Sequence, residues 1–344
     1  MIPFIKPDKP NTELFNTLLS TSIEQNHYTN FGPNHNKLKE TLVELTGISN
    51  VILTCNATVA LEGLHTLLSR KCGIAYLPSF TFPATNQGCL VSTITGSTIN
   101  QGQNIGRTSW KCSSYVFSYA ITVNPFGSTN PVCERSKEPT YWVIDNAAGL
   151  LPQAKEWLAA GADAVVYSLH ATKILSACEG GVIFFRTNEI YEDYLEHMNF
   201  GFKPLADGSR LVSYQGSNHK MSELSAAWCL SMLPGLNKNI EKRQKIADAY
   251  KAFCVEYNVP YIPSLQAFWL LGKEDALKIR KFGLINGIDF RPYYQKLPFD
   301  NSNCPNTKLF TTNGFCLPTR STLTDSELGL ILDCLQAAKL LCLI

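Results

Sequence analysis

The chain has 344 residues, 45% of them hydrophobic and 17% charged. That is enough apolar material for a sizeable core and too ordinary a mix for a disordered chain. Thirty basic side chains stand against 28 acidic ones, a formal charge of +2, which excludes a basic field of the kind that draws nucleic acid or an anionic membrane surface.

The length fits about two domains at roughly 150 residues each. The opening MIPFIKPDKP lacks an apolar h-region. No stretch of 18 apolar residues occurs, and the C-terminal AAKLLCLI is too short to span a bilayer. Twelve cysteines are present with no CxxC pair, and most sit in apolar runs, where a free thiol packs as a small hydrophobe. The six histidines lack metal-ligand spacing, so no metal site is expected. These features predict a soluble, cytoplasmic protein in a reducing compartment.

In chain order, Leu38, Leu42 and Leu45 recur at helical spacing, with Gly47 as a stop. A strand follows at 51–54, then a helix carrying Leu61, Leu64 and Leu68. Further short apolar runs, at 74–77, 115–123, 141–145, 164–169 and 181–185, are bounded by Gly, Pro, Asn or Ser and read as strands buried on both faces. Strands alternating with helices predict an α/β domain with a mainly parallel sheet over 1–235. Pro234-Gly235 punctuates the chain. A long amphipathic helix with Leu236, Ile240, Ala247, Tyr250 and Phe253 opens a smaller α+β domain over 236–344. Short strands are expected there at 267–271 and 287–290, with a final helix opened by the capping box of Thr324 and Glu327. The extreme N-terminus is expected to pack with this smaller part.

The most informative run is Ser168-Leu169-His170-Ala171-Thr172-Lys173, followed by Glu179-Gly180-Gly181. A lysine just after a strand, flanked by hydroxyls, suits an amine that attacks a carbonyl once desolvation lowers its pKa. Spacing alone favours a surface lysine, since such lysines are common after strands. Cys55-Asn56-Ala57-Thr58 follows a strand and opens a helix, where free amides and the helix dipole favour an anion. A plain N-cap by Asn56 or Thr58 is the other reading. Asp145 ends a strand, at the edge where ligands of open α/β sheets gather, or is simply a solvated acid.

The run SLHATK…EGG resembles the Schiff-base segment of the DegT/DnrJ/EryC1/StrS sugar aminotransferases, pyridoxal phosphate enzymes of fold type I. The blocks CNATVAL, PSFTF, VIDNAAG, NFGF and GSNHKMSEL resemble family blocks in the same order, from about residue 28 to 253. The resemblance implies that Lys173 holds pyridoxal 5′-phosphate and moves the protons. It implies that Ala57 and Thr58 receive the cofactor phosphate, with Ser168 close by, and that Phe82 lies over the ring unless it is a core phenylalanine. Ala57 stands where the family usually has glycine. It further implies that Asn218 reaches the phosphate of a neighbouring subunit, so that a homodimer shares its sites. Lys220 adds charge nearby, and Arg291, in Phe290-Arg291-Pro292-Tyr293-Tyr294, is a candidate for the substrate's nucleotide phosphate or an exposed arginine on an edge strand.

Two family patterns compete over Asp145-Asn146. A neutral amide cannot hold the pyridine nitrogen protonated, whereas a carboxylate can. Neighbours on a strand also point to opposite faces. Asp145 is therefore assigned to the ring nitrogen and Ala147 to its face. His170 is assigned to packing or the phosphate side rather than proton transfer. The implied reaction moves an amino group from L-glutamate to a nucleotide-linked keto-6-deoxy sugar, with a dTDP-4-keto-6-deoxyhexose favoured, for amino-sugar and O-antigen-type lipopolysaccharide glycans. A 3-keto-sugar or amino-cyclitol aminotransferase, a sugar dehydratase and a non-catalytic relative are the competitors. The family's dehydratases carry histidine at the lysine position, and retention of Lys173, Asp145, Thr58 and Asn218 argues against a non-catalytic chain. The stretch 91–140 is shorter than in the family, which bears on the sugar pocket.

Overall fold

Helices α1 (Thr12–Glu24) and α2 (Pro33–Thr46) lead into strand β1 (Val51–Thr54), α3 (Ala57–Lys71) and β2 (Ile74–Pro78). Strands β3 (Ser92–Thr95), β4 (Ser97–Ile99), β5 (Ile105–Thr108), β6 (Ser118–Val123) and β7 (Tyr141–Asp145) follow, then α4 (Gln153–Ala159), β8 (Ala164–Ser168), β9 (Gly181–Phe185) and α5 (Asn188–His197). Strands β10 (Phe202–Pro204) and β11 (Arg210–Val212) form a hairpin before α6 (Glu223–Met232) and α7 (Leu236–Glu256). The chain ends with β12 (Tyr261–Ile262), β13 (Phe268–Leu271), α8 (Ala276–Ile285), α9 (Pro305–Asn313), β14 (Gly314–Leu317) and α10 (Asp325–Leu340). This computed structural model describes residues 1–89, 92–95, 97–99, 105–108, 118–129, 140–298 and 304–344. Most of the short stretch 91–140, including 115–117 of the expected strand, lies outside the described residues.

The central sheet has seven strands in the order β1-β9-β8-β7-β6-β2-β3. Pairings β8–β7, β7–β6, β6–β2 and β2–β3 are parallel, while β9 runs antiparallel to both β1 and β8. Six strands therefore point one way and β9 the other. Alternate residues feed two cores, as the two-residue period of a strand requires. Leu53, Ile144, Val165 and Phe184 pack on the face covered by α2, α4 and α6. Ile52, Val143, Val166 and Ile183 pack with Leu61, Leu64 and Leu68 of α3 on the other. Each fully buried leucine contributes about 1.5–3 kcal/mol relative to exposure.

In α2, Leu38 and Leu42 are buried, but Leu45 is 52% exposed, so the helical spacing overstates the apolar stripe by one turn. Gly47 ends α2 with φ 70°, a left-handed C-cap that glycine adopts without penalty.

A second core forms where the antiparallel sheet β12-β13-β14 meets α7, α8 and α10, around Tyr250, Phe268, Ile279, Phe315 and Leu335. The capping box at Thr324 and Glu327 is present. The expected strand at 287–290 is not. Gly287 makes a left-handed turn after α8, and the following residues form only single bridges, Ile288 with Ile2 and Arg291 with Cys316. Those apolar side chains are buried by packing rather than by a ladder. The Ile2 amide donates to the Gly287 carbonyl at 2.6 Å, which seats the N-terminus on this second core.

Candidate active site

Parallel strands send their C-terminal ends to one edge of a sheet, the usual place for a ligand in open α/β folds. Here β7 ends at Asp145, β8 at Ser168, β1 runs into the turn before α3, and β2 runs into Ser79–Phe82. The loop after β8 carries Lys173. It is held from both sides: its neighbour Ile174 joins the second core, and Gln266 Nε2 donates to the Thr172 carbonyl at 2.6 Å.

Asp145 is only 3% exposed. Its Oδ2 accepts the Thr85 hydroxyl at 2.6 Å and its Oδ1 the Ala147 amide at 3.1 Å. Burial pushes its pKa up, while the two hydrogen bonds and the positive charge of Lys173 oppose that rise. Lys173 experiences the converse. Burial lowers its pKa and Asp145 opposes the fall. Half-buried in exposed area, its side chain has no hydrogen-bond or ion-pair partner among the described residues. A lysine crowded by protein, with no partner among the described residues, is an amine whose charged form burial disfavours.

Asn146 faces elsewhere. Its Nδ2 donates to the Tyr167 hydroxyl at 3.0 Å and Gln153 Oε1 at 3.2 Å, and its Oδ1 accepts Asn124 Nδ2 at 2.9 Å. The opposite orientation of strand neighbours thus puts the acid toward the lysine and the amide into a closed polar cluster.

At the start of α3, Asn56 is the N-cap, and its side chain accepts the Val59 amide at 2.9 Å. The amides of Ala57 and Thr58 have no acceptor among the described residues. Gly181 explains the Gly-Gly pair that follows the lysine loop. A Cβ there would lie 2.5 Å from Thr54 Oγ1 and 2.8 Å from the Ala57 nitrogen. Only glycine lets the start of β9 come this close to the turn.

The aromatic block splits into two roles. Phe80 is buried among Phe126, Trp269, Tyr294 and Phe310. Phe82 is 50% exposed, immediately before the short 3-10 helix Pro83–Asn86 that carries Thr85. A large ring left open beside a buried acid is available to a flat ligand. Ala147, half-buried, follows Asp145 by two residues.

The outer candidates are less uniform. Asn218 is exposed, and its side chain has no partner among the described residues. Lys220 donates to Asn199 Oδ1 at 3.0 Å and lies 4.4 Å from the Phe200 ring centre, with its pKa lowered by burial. Arg291 is half-buried and its Nε donates to Asp289 Oδ2 at 2.7 Å, so its charge already has a partner. His170 braces the lysine loop through Thr172 Oγ1 at 3.0 Å and lies 3.5 Å from Glu179 Oε1. Sequence reasoning missed Thr85, whose hydroxyl meets Asp145. The signal was a hydroxyl three residues after an aromatic that follows a strand end, which carries little information until the fold brings β2 and β7 to one edge. Among the described residues no group of three His, Cys, Asp or Glu side chains is placed to hold a metal, and no helix is long and apolar enough to cross a membrane.

A lysine facing a strand-end acid, beside unpaired helix-start amides and an open phenylalanine, is a set of contacts suited to a phosphorylated aromatic aldehyde. A family model, the DegT/DnrJ/EryC1/StrS aminotransferase family, matches residues 11–97 and 139–263, more than half of the sequence. The chain belongs to the DegT/DnrJ/EryC1/StrS aminotransferase family. Aminotransferases of this family use pyridoxal phosphate. Protein Rv3402c of Mycobacterium tuberculosis is 29% identical over 279 residues, covering 76% of this chain and 66% of that protein, just under two thirds of its length. The dTDP-4-amino-4,6-dideoxy-D-glucose transaminase of Shigella dysenteriae is 28% identical over 261 residues, 71% of this chain and 70% of that one. Spr1654 of Streptococcus pneumoniae, solved in apo, PMP and PLP forms, superposes with a TM-score of 0.79 at 18% identity in the apo form, over 99% of this chain and 98% of that one. At that identity the likeness establishes the fold, an α/β architecture with a mainly parallel central sheet.

Proposed function

We propose that this family member transfers an amino group from L-glutamate to the keto carbon of a nucleotide-linked 6-deoxy sugar, with a dTDP-linked 4-keto-6-deoxyhexose as the first candidate acceptor. The observation that carries the reading is the unpaired, desolvated Lys173 beside the buried carboxylate of Asp145. The acceptor class is supported by the Shigella relative, a dTDP-sugar transaminase, and by DesI, a structural neighbour solved with its TDP-sugar product.

Pyridoxal phosphate, when bound, supplies the aldehyde carbon that carries the amino group and a ring that takes up electrons. In this reading the amides of Ala57 and Thr58 hold its phosphate at the start of α3, with Ser168 at the neighbouring strand end. Asp145 would face the ring nitrogen and keep it protonated. Phe82 would cover one face of the ring and exclude water, and Ala147 would pack on the other. Lys173 Nζ, whose charged form burial disfavours, would take the proton from the α-carbon of the amino donor and deliver it to the carbon that accepts it. Arg291 contributes to the substrate phosphates only by sharing its charge with Asp289.

The purified protein is expected to be yellow with pyridoxal phosphate, and glutamate is expected to shift its visible band. Borohydride reduction and peptide mapping should place the label on Lys173. A label on another lysine, or no spectral response to any amino donor, overturns the reading. Return of the band with dTDP-, UDP- or GDP-linked keto sugars, each tried separately, identifies the acceptor and separates a sugar enzyme from an amino-cyclitol one.

The active protein is further read as a homodimer with shared sites and two domains, 1–235 and 236–344. Asn218 is exposed, with no side-chain partner among the described residues, and Leu211 and Val212 of the adjacent hairpin are exposed too. Mixing inactive Lys173→Ala with inactive Asn218→Ala protein should restore activity, because one site of a mixed dimer carries neither change. No recovery under conditions that exchange subunits counts against shared sites.

A further inference from the structure

Behind Asp145 lies a chain of hydroxyl groups with a fixed direction. An ionised carboxylate only accepts hydrogen bonds, so Thr85 must donate its single hydroxyl proton to Asp145 Oδ2, at 2.6 Å. Thr81 Oγ1 is 2.6 Å from Thr85 Oγ1. Thr85 has no second proton to give, so Thr81 is the donor there. Both threonines are buried. The remaining polar groups of Thr85 are also taken. Its amide donates to the Phe82 carbonyl at 3.2 Å, and its carbonyl lies 2.9 Å from His65 Nε2. A carbonyl can only accept, so His65 carries its proton on Nε2, and its Nδ1 accepts the Tyr119 hydroxyl at 2.9 Å. Burial lowers the pKa of His65, which keeps it the neutral imidazole this pattern needs.

We propose that Thr85, supported by Thr81, is a positioning residue that holds Asp145 as an oriented carboxylate for the cofactor ring. This rests on the functional reading above. Among the described residues, the groups facing Asp145 are Thr85, the Ala147 amide, Lys173 and, from the C-terminal part, Tyr294, with His65 one residue behind Thr85. Lys173 is the only cation among them. When its nitrogen is engaged in chemistry, that charge is not reliably available to Asp145. The two neutral donors then keep the acid ionised, and of these the Thr85 hydroxyl makes the shorter bond. The same short helix carries Phe82 at its start, so one segment sets both the ring cover and the acid.

Thr85→Val keeps the shape and removes the donor, while Thr85→Ser keeps the donor. With pyridoxal phosphate as the probe, Thr85→Val is expected to move the pH titration of the bound chromophore by about one unit or more and to lower kcat roughly 10- to 100-fold, the scale of one hydrogen bond to a charged group. Thr85→Ser should follow the wild type, and Thr81→Val should shift the titration in the same direction by less. In the apoprotein, the infrared carbonyl band of a protonated carboxyl should grow near neutral pH in Thr85→Val and vanish in the double variant with Asp145→Asn. Wild-type titration in Thr85→Val, or equal loss in Thr85→Ser and Thr85→Val, overturns the proposal. The apoprotein band reads it without the cofactor. A wild-type protein that never binds pyridoxal phosphate therefore defeats the functional reading and leaves the relay to be judged on that band.

Discussion

Asp145 and Glu223 are buried to almost the same depth, 3% and 2% exposed, yet they are satisfied in opposite ways. Glu223 accepts three hydrogen bonds, from Ser22 Oγ at 2.8 Å, the Asn34 amide at 2.7 Å and the His35 amide at 2.9 Å. The two amides belong to the first turn of α2, whose N-cap Gly32 has no side chain to cap them. A Cβ on Gly32 would lie 2.6 Å from Glu223 Cδ, so the glycine makes room for the acid. Glu223 therefore supplies the cap from another helix, where the dipole favours its charge. Among the described residues, Asp145 accepts two hydrogen bonds and faces a lysine that forms none. An acid closed off by donors serves the fold. An acid left partly open opposite a titratable amine costs stability through its desolvation, and in the proposed function it is the one that serves chemistry.

The sharpest way to break this comparison is to neutralise each acid without changing its shape. Asp145→Asn is expected to cut turnover by about 10²-fold or more, the lower range for loss of a group that controls protonation, while the melting temperature stays level or rises. Glu223→Gln is expected to do the reverse. Its amide sets a donor against donors, costing about 1–3 kcal/mol and lowering the melting temperature, with turnover per folded molecule little changed. Thermal melts and kcat measured on both variants decide the matter. A large stability loss in Asp145→Asn with intact turnover would sink the assignment of roles.

The contrast between these acids was only half legible in the sequence. Strand β7 and its terminal Asp145 stand out because four apolar residues, Tyr141–Ile144, lead to an acid before Asn-Ala-Ala-Gly, and period-two alternation alone separates Asp145 from Asn146. Glu223 opens α6, with Ser222 as its N-cap. Its contact with α2 lies 188 residues away in sequence. The same limit hid Thr85, 60 residues from Asp145. Local periodicity reports which face of an element is apolar. It does not report which distant polar groups meet on the buried side, because that depends on strand order. The apparent strand at 287–290 failed for a related reason: a short apolar run says that side chains are buried, and the ladder partner has to be found in the fold.

A third buried titratable site sharpens the comparison at intermediate size. His197 packs its ring parallel to Tyr214 and edge-on to His219, and its Nδ1 has no partner among the described residues. Burial first, then the neighbouring His219 and Arg70, push its pKa down to about 4. The folded value lies below the ordinary 6.5, so the unfolded chain takes up a proton first as pH falls. Stability from keeping His197 neutral is therefore full above about pH 6.5 and is lost progressively toward about pH 4, on the order of 3 kcal/mol at about 1.4 kcal/mol per unit. The carbonyl of His197 also accepts the Ser217 amide at 2.7 Å, next to Asn218. Urea unfolding at pH 7.5 and pH 5 should show the loss in the wild type and a flatter response in His197→Gln. Equal slopes in the two proteins would mean that His197 titrates as it does in the unfolded chain.

The smallest expected effect concerns His170, three residues before the lysine and the most tempting acid-base residue in the sequence. Its side chain is 46% exposed, and so is most of its partner Glu179. Exposed pairs of this kind are worth about 0–1 kcal/mol, because water screens the charges and two side chains lose freedom to meet. The Nδ1 contact with Thr172 Oγ1 stays within the loop and braces it locally. Lys173 differs on both counts, being desolvated and unpaired. If proton transfer belongs to the lysine alone, His170→Gln keeps a hydrogen-bonding side chain near Thr172 and should change kcat/KM less than about threefold, within the energy of an exposed pair. The pH profile of kcat should also be unmoved, which a purely structural change cannot imitate if the imidazole were the acid or base. A hundredfold loss in His170→Gln, or a displaced limb of that profile, would transfer the proton-carrying role from Lys173 to the histidine and make the exposed side of the loop, rather than its buried side, the reactive one.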